Sequence, residues 1–175
     1  DHLSGKGVAV CMVDSGIDMS HKDLESANLV EWEDFIGSDS SPYDDNGHGT
    51  MMAGILVADG ELTGVAPDVD LYVAKALSGN GEGNDATVAE AIDWCISKNV
   101  HIISLSLGGN ASGFSIILGD AVEDSVESAY DAGIVVVAAA GNDGGGTNCI
   151  FQTLTLPGPD KKPFFQEHAY GSLQV

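Results

Sequence analysis

Short apolar runs alternate with helical patterns along most of this chain. Four runs rich in valine, isoleucine and alanine predict buried parallel strands, over residues 7–13, 69–77, 102–107 and 134–139. Apolar residues at helical spacing predict helices from His48 onward, over residues 87–98 and over residues 119–132. This alternation predicts an α/β fold, with a doubly wound, mostly parallel sheet and helices on both of its faces.

Two segments fall outside this alternation. Residues 18–46 are polar and acidic, and we expect Trp32 and Phe35 to pin them to the core. Near the C-terminus three prolines interrupt the chain, and no strand or helix pattern continues. We therefore divide the chain into a domain over residues 1–150 and an atypical tail over residues 151–175. The tail is either a disordered or frame-disrupted segment that is foreign to the domain, or an ordinary surface extension.

The chain is strongly acidic, with 27 Asp and Glu against 6 Lys and Arg, which gives a net charge of −21. Binding to nucleic acid or to an anionic membrane surface needs clustered basic side chains, so the sequence excludes both kinds of partner. Self-repulsion of this size keeps a protein soluble and is best tolerated where salt screens it, so we hypothesise a halophilic source. We also expect a monomer, and no apolar run is long enough to span a bilayer.

The three cysteines, Cys11, Cys95 and Cys149, are widely separated along the chain. They form no C-x-x-C pair and no cluster with histidine, which argues against a zinc site and against a disulfide framework. Cys11 and Cys95 lie inside apolar runs, where the simplest interpretation is a small buried hydrophobic side chain.

A histidine between two glycines lies where a polar loop becomes an apolar helix. Gly47 and Gly49 lack Cβ atoms, so another chain segment can approach His48 closely. A helix that begins here holds the imidazole rigidly and leaves one nitrogen open to the loop side, which suits a general base. A capping loop with an incidental histidine would give the same short pattern, so the motif needs support from elsewhere in the chain.

That support comes from two polar residues that follow predicted strands. Asp14 ends the first apolar run, and Asn142 follows the last one. The carboxyl ends of parallel strands are where open α/β sheets place their sites. An aspartate can orient an imidazole, the imidazole can take a proton from a nucleophile, and an asparagine amide can donate to a developing oxyanion. Each residue alone has a common structural explanation, but together, in this order, they predict a hydrolytic site.

Five motifs resemble, in order, those of the subtilisin-like serine peptidases. They are Asp14-Ser15-Gly16-Ile17-Asp18, Asn46-Gly47-His48-Gly49-Thr50, Gly64-Val65-Ala66-Pro67, Ser104-Leu105-Ser106-Leu107-Gly108-Gly109 and Ala139-Ala140-Gly141-Asn142. The resemblance implies a serine endopeptidase that hydrolyses peptide bonds through an acyl-enzyme, with Asp14 as the histidine orienter, His48 as the general base and Asn142 as the oxyanion donor. It also implies a secreted, extracellular protein, although no signal-peptide pattern is visible in the chain.

The resemblance further implies that the partner is a peptide or protein substrate in extended conformation. Two segments would present their backbone to it, so that main-chain hydrogen bonds supply the affinity. These segments are Gly81, Glu82 and Gly83 on one side, and Ser106, Leu107 and Gly108 on the other. The glycine-rich residues 79–84 have an alternative interpretation as a dinucleotide loop, which their spacing and the absence of nearby basic residues disfavour.

The chain departs from the family at the nucleophile. The family's serine lies in a Gly-Thr-Ser stretch at the start of a buried helix, whereas the only serine after Asn142 is Ser172, which has neither feature. We therefore expect this chain alone to be inactive, because acyl transfer needs a nucleophile. We also expect the C-terminal elements of the family to be missing, which predicts an exposed sheet edge and exposed apolar surface. The alternative is a non-catalytic relative that binds peptides or a partner in the same cleft.

Calcium is the one cofactor that the resemblance suggests, in a structural role, since the chemistry itself requires none. Asp23 matches a position that often contributes a carboxylate, but the loop over residues 57–64 is too short to supply the remaining oxygens of the usual site. Asp39, Asp44 and Asp45 could form a different calcium site, or could be solvated residues of an acidic loop.

Overall fold

The computed structural model describes residues 3–108 and 120–139, which form a five-stranded parallel sheet with three helices. The strands are β1 (Ala9–Asp14), β2 (Leu29–Asp34), β3 (Asp70–Lys75), β4 (Ile102–Leu105) and β5 (Val135–Ala138). The helices are α1 (His48–Val57), α2 (Asp85–Ser97) and α3 (Asp120–Asp131). The predicted fold class, a doubly wound α/β sheet, is confirmed.

Strand β1 lies at the centre of the sheet, whose order is β2-β3-β1-β4-β5. All four pairings are parallel, and in the β1–β3 pair Asp14 lies opposite Lys75. Because the chain passes from β3 across β1 to β4, the strand order reverses at β1. Open α/β sheets form a crevice at such a reversal, at the carboxyl ends of the strands. Asp14 is the last residue of β1 and therefore lies at this point.

Alternate residues of the strands point to opposite faces of the sheet, and each face has its own apolar cluster. The α2–α3 face contains, among others, Cys11, Val13, Ile92, Ile103, Val126 and Val136. The α1 face contains, among others, Val10, Met12, Ala53, Val57, Leu71 and Val73. Helix α2 packs against α3 on the first face, whereas α1 is the helix on the second. Both predicted layers of helices are therefore present.

Strand β2 is the element that the sequence pattern did not predict. It is an edge strand paired with β3, and most of its residues are exposed or half-buried, so its apolar positions are too few to stand out. The two aromatic residues do anchor this segment, as expected. Trp32 packs against the apolar cluster of the α1 face, and Phe35 packs against that of the α2–α3 face, where it makes an edge-on contact with Trp94 of α2. Within the segment, the Trp32 indole N–H donates to the Asp39 carbonyl at 2.9 Å.

The expectation of unpaired cysteines was wrong, because Cys11 and Cys95 form a disulfide between β1 and α2. Their Cα atoms lie 5.8 Å apart and both side chains are fully buried. The sequence separation of 84 residues hid this pairing, because β1 and α2 become neighbours only when the sheet assembles. Cys149 lies outside the described residues, as does the whole predicted tail.

Strand β5 ends the described sheet with exposed apolar side chains at Val135 and Val137. On α1, Met51 and Ile55 are also more than half exposed. These side chains are exposed apolar positions among the described residues, and the link to missing C-terminal elements stays a prediction. Within residues 3–108 and 120–139, no helix is long and apolar enough to cross a membrane.

Candidate active site

The side chains of Asp14 and His48 meet at the carboxyl end of β1. The Nδ1 atom of His48 lies 2.7 Å from Oδ1 of Asp14, and the same oxygen accepts a hydrogen bond from the Ser15 main-chain N–H at 2.7 Å. The strand fixes the carboxylate, and the first turn of α1 fixes the imidazole. The structure therefore brings two of the three predicted catalytic residues into contact. Because Nδ1 faces Asp14, Nε2 is the ring nitrogen left to take up a proton.

The environments of the two side chains differ sharply. Asp14 is fully buried, and burial raises the pKa of its carboxyl, while the hydrogen bonds from His48 and Ser15 oppose that rise. Its second oxygen, Oδ2, is buried without a hydrogen-bond partner among the described residues. The His48 side chain is 37% exposed. In such an arrangement a buried carboxylate can orient the imidazole, and the partly exposed imidazole can reach a group in the cleft.

Gly47 and Gly49, on either side of His48, disfavour a side chain for different structural reasons. A Cβ on Gly49 would overlap the Gly16 carbonyl, so Gly49 permits the close approach of the loop after β1. A Cβ on Gly47 would meet nothing within 4 Å, but Gly47 has φ +96°, a conformation that favours glycine. The prediction of close approach therefore holds at Gly49, whereas at Gly47 the requirement is conformational.

Sequence reasoning missed the role of Asp44, which had been weighed only as a calcium ligand or a solvated loop residue. Its Oδ1 accepts from the Ser15 hydroxyl at 2.9 Å and from the main-chain N–H groups of Asn46 and Gly47 at 3.1 and 2.9 Å. Its Oδ2 accepts from the Thr50 N–H at 2.9 Å and from the Thr50 hydroxyl at 2.6 Å. Burial alone would raise the pKa of Asp44, but these hydrogen bonds, led by that of the Thr50 hydroxyl, lower it to about 2.

Lys75, the last residue of β3, was also missed. Its side chain is fully buried, and its ammonium group donates to the carbonyls of Ser15 and Leu77 at 2.6 and 2.9 Å and to Asp45 Oδ1 at 2.6 Å. The same nitrogen lies 4.8 Å from the ring centre of Tyr43. A lysine inside an apolar strand was the available signal, because a buried charge needs partners of this kind.

A cleft of about 240 Å³ opens beside His48. Its lining consists of Asn46, His48, Leu77, Gly81, Ser106, Leu107 and Gly108. Asn46 links the loop at Gly79 to the start of α1, because its amide donates to the Gly79 carbonyl at 3.0 Å while its oxygen accepts from the His48 N–H at 3.2 Å. Four of the six predicted substrate-binding residues therefore face the same cleft as the imidazole.

The other two predicted substrate-binding residues do not line the cleft. The carbonyl of Glu82 accepts from the Ser78 N–H at 2.8 Å, and its own N–H donates to the Ser78 hydroxyl at 3.3 Å, so its main chain is engaged within the loop. Gly83 lies against the Ala76 carbonyl, which a Cβ would approach to 2.6 Å. Asn142, the predicted oxyanion donor, lies outside the described residues.

Asp23 is surrounded by hydrogen-bond donors. Its Oδ1 accepts from the main-chain N–H groups of Glu61 and Leu62 at 2.6 and 3.4 Å, and the residue is almost fully buried. Calcium takes six or more oxygen ligands, and amide N–H groups supply none. In the part of the chain that the structure describes, no three His, Cys, Asp or Glu side chains converge to hold a metal ion. This donor set does not fit a calcium site, and calcium binding stays a prediction.

The alternative carboxylate cluster is likewise engaged in other bonds. Asp44 accepts the five hydrogen bonds described above, Asp45 pairs with Lys75, and the main-chain groups of Asp39 bond to Trp32 and Asp34. The carboxylates of Asp44 and Asp45 therefore bind separate groups instead of a common centre.

Comparison with known proteins gives a consistent result. The profile of the Subtilase family (Peptidase_S8) matches residues 5–163 of this chain. The predicted domain boundary at residue 150 falls inside this range and stays a prediction.

Two relatives and one solved structure illustrate the match. The chain is 39% identical over 172 residues to the serine protease AprX of Bacillus subtilis, covering 91% of this chain and 38% of that protein. It is 45% identical over 145 residues to a thermostable alkaline protease of Halalkalibacterium halodurans, covering 81% and 37% of the two chains. The structure of a cold adapted subtilisin-like serine proteinase superposes with a TM-score of 0.67 at 31% identity, covering 80% of this chain and 48% of that one. The chain thus spans less than half the length of these relatives.

Proposed function

Because this chain belongs to the subtilase family, we propose that it carries the base and the orienting carboxylate of a serine endopeptidase that cleaves peptide bonds through an acyl-enzyme. The observation that carries the proposal is the 2.7 Å contact between His48 Nδ1 and the buried Asp14 carboxylate, at the mouth of a cleft lined by main chain. An ordinary core histidine would not combine a buried carboxylate partner with exposure to a cleft.

In the proposed reaction, Asp14 accepts the Nδ1–H of His48 and so keeps the lone pair on Nε2. Nε2 then takes the proton of a serine hydroxyl as that oxygen attacks the substrate carbonyl, and later gives the proton to the leaving amine. The imidazolium that forms between these steps is stabilised by the Asp14 carboxylate. Asn142 would donate its amide hydrogen bond to the oxygen on which negative charge develops.

The substrate is proposed to bind as an extended peptide beside His48. Gly81 supports one side of this path and Ser106 to Gly108 the other, because these residues line the cleft with little side chain in the way. Glu82 contributes less than the sequence suggested, since its main-chain groups are bonded to Ser78. Main-chain pairing gives affinity without demanding a particular substrate sequence.

The nucleophile is the part of the proposal for which the 175 residues offer, after Asn142, only Ser172. Ser172 lacks the glycine-threonine pair before it and the apolar helix after it, so we propose that it does not serve as the nucleophile. The 175 residues by themselves would then bind peptides without cleaving them.

The proposed location is extracellular. The buried Cys11–Cys95 disulfide supports it, because such bonds form and persist in oxidising compartments. The net charge of −21 fits a protein that works in salt, which screens the repulsion between carboxylates.

Titration of the 15N-labelled chain with tetra-alanine p-nitroanilide tests this function. We expect amide shift changes at Gly81, Ser106 and Gly108 and a change at the His48 ring, with no release of p-nitroaniline. The matched controls are His48→Ala, which retains the cleft backbone, and Ser172→Ala.

Each outcome decides one part of the proposal. If the wild type releases p-nitroaniline and His48→Ala does not, His48 is confirmed as the base and the proposed inactivity of this chain is overturned. If Ser172→Ala also releases none, Ser172 is the nucleophile. Binding that is identical in wild type and His48→Ala, with no change at the ring, would favour a non-catalytic peptide binder. Absence of any shift would overturn the assignment of the cleft.

A further inference from the structure

The contact between Asp14 and His48 joins two segments that are separated by 34 residues, so something must fix their relative position. Helix α1 does not provide this through an ordinary cap, because its N-cap residue is Gly47, which has no side chain to accept a hydrogen bond. The half-buried carboxylate of Asp44 instead accepts from Gly47, on one side of His48, and from Thr50, on the other.

The same carboxylate reaches Asp14 through a single hydroxyl. Ser15 is fully buried, and its Oγ donates to Asp44 Oδ1 at 2.9 Å while accepting from the Gly49 N–H at 2.9 Å. The main-chain N–H of Ser15 donates to Asp14 at 2.7 Å. The segment after β1 and the first turn of α1 are thereby tied to one charged group.

The backbone around this group leaves little freedom to shift. Gly16 and Asp44 form an isolated antiparallel bridge, and the Ile17 N–H donates to the Tyr43 carbonyl at 3.2 Å. A Cβ at Gly16 would overlap that carbonyl. Charge-assisted hydrogen bonds inside so close a contact are stronger than neutral ones, which suits them to fixing a geometry.

We propose that Asp44 is a positioning residue that sets the hydrogen bond between Asp14 and His48 by holding Ser15 and the start of α1. This inference rests on the proposed function, because the pair that it positions is the proposed orienter and base. It predicts that loss of Asp44 changes the tautomer of His48 and not only the stability of the helix.

The test compares Asp44→Asn, Ser15→Ala and the control Asp18→Asn by 15N NMR of the full chain, with the His48 signals assigned through His48→Gln. Asp18 is a suitable control because it lies nearby and its exposed carboxylate bonds to Ser20. We expect Asp44→Asn and Ser15→Ala each to lower the ratio of the Nδ1–H to the Nε2–H tautomer by about tenfold. Asp18→Asn should leave the ratio unchanged.

Folded variants that keep the wild-type ratio would show that Asp44 only caps α1, and would overturn the proposal. If Asp44→Asn fails to fold, Ser15→Ala still decides, because it removes one hydroxyl without adding a group. The double variant should change the ratio by less than the product of the two single fold-changes, because Ser15 and Asp44 share a hydrogen bond. A wild-type chain without the Nδ1–H tautomer would instead overturn the pair itself, and with it the proposed function.

Discussion

Helices α1 and α2 lie on opposite faces of the sheet and are held there by different forces. Helix α2 is anchored by apolar burial, with Val88, Ala91, Ile92 and Cys95 all fully buried. It begins with a capping residue, Asn84, whose side chain accepts from the N–H of Thr87 at 2.9 Å.

Helix α1 buries only small or short side chains, at Gly49, Ala53 and Val57. Two of its larger side chains, Met51 and Ile55, are 57% and 60% exposed, whereas Met52 and Leu56 are partly buried against the apolar cluster of this face. Its N-terminal end is in addition fixed by hydrogen bonds that Asp44 and Ser15 accept from Gly47, Gly49 and Thr50.

The comparison shows that the most tightly packed helix and the helix that carries His48 lie on different faces of the sheet. The helix without a candidate catalytic residue contributes the closed core and the disulfide. The helix that begins at His48 packs on the sheet with a smaller apolar face and is also held by polar contacts near the imidazole. Hydrogen bonds give a defined geometry there, which apolar contact, being non-directional, does not.

The largest loss of stability should come from removing the Cys11–Cys95 disulfide on the α2–α3 face. Replacing both Cys11 and Cys95 by alanine should lower the free energy of unfolding by about 2–5 kcal/mol, because the unfolded chain regains the freedom of a long loop. Urea unfolding of both proteins measures this difference. A reductant should lower the stability of the wild type and not that of the variant, and equal stabilities of the two proteins would contradict the prediction.

A matched pair of isoleucines compares the packing of the two helices. Ile92→Ala on α2 should cost about 2–5 kcal/mol, because it leaves a cavity at a fully buried position. Ile55→Ala on α1 should change the stability by less than about 1 kcal/mol, since most of that side chain is exposed. Urea unfolding of both variants gives the two values, and similar losses would show that the α1 face is as closed as the other.

A smaller loss of stability than that of Ile92→Ala is expected at the polar contacts of Asp44 with α1, and it depends on pH. In the folded chain the pKa of Asp44 is about 2, below its ordinary value of 3.8. Its stabilisation is therefore complete above about pH 3.8 and is lost as the pH falls through about 2. The isosteric Asp44→Asn should cost about 1–2 kcal/mol at neutral pH, after allowance for partial exposure.

That difference between wild type and Asp44→Asn should shrink as the pH falls from 3.8 toward 2, which thermal unfolding over a pH series measures. Asp34 also has a lowered pKa, but it is present in both proteins and so cancels in the comparison. A difference that stays constant across this range would show that Asp44 is not ionised in the way described.

Much of the fold was predictable because it depends on local pattern. Buried parallel strands leave continuous apolar runs, and a helix leaves its own spacing, so β1, β3, β4, β5 and the helices follow from the sequence. Asp14 and His48 were predictable for the same reason, because each lies where such a pattern ends. Strand β2 escaped because an edge strand with exposed side chains leaves no such run.

The remaining features depend on which distant segments meet. The pairing of Cys11 with Cys95, the burial of Lys75 beside Ser15, and the five hydrogen bonds of Asp44 all join residues whose own surroundings in the chain look ordinary. An acidic loop residue looks the same whether it is solvated or is the anchor of a helix.

The sequence by itself therefore determined the layers of the fold and the candidate pair Asp14 and His48, because periodicity and strand ends are local properties of the chain. Only the tertiary structure decided what holds this pair in place. A hydrogen bond requires two particular atoms within about 3 Å, and for residues far apart in sequence that distance is set by the packing of the whole sheet.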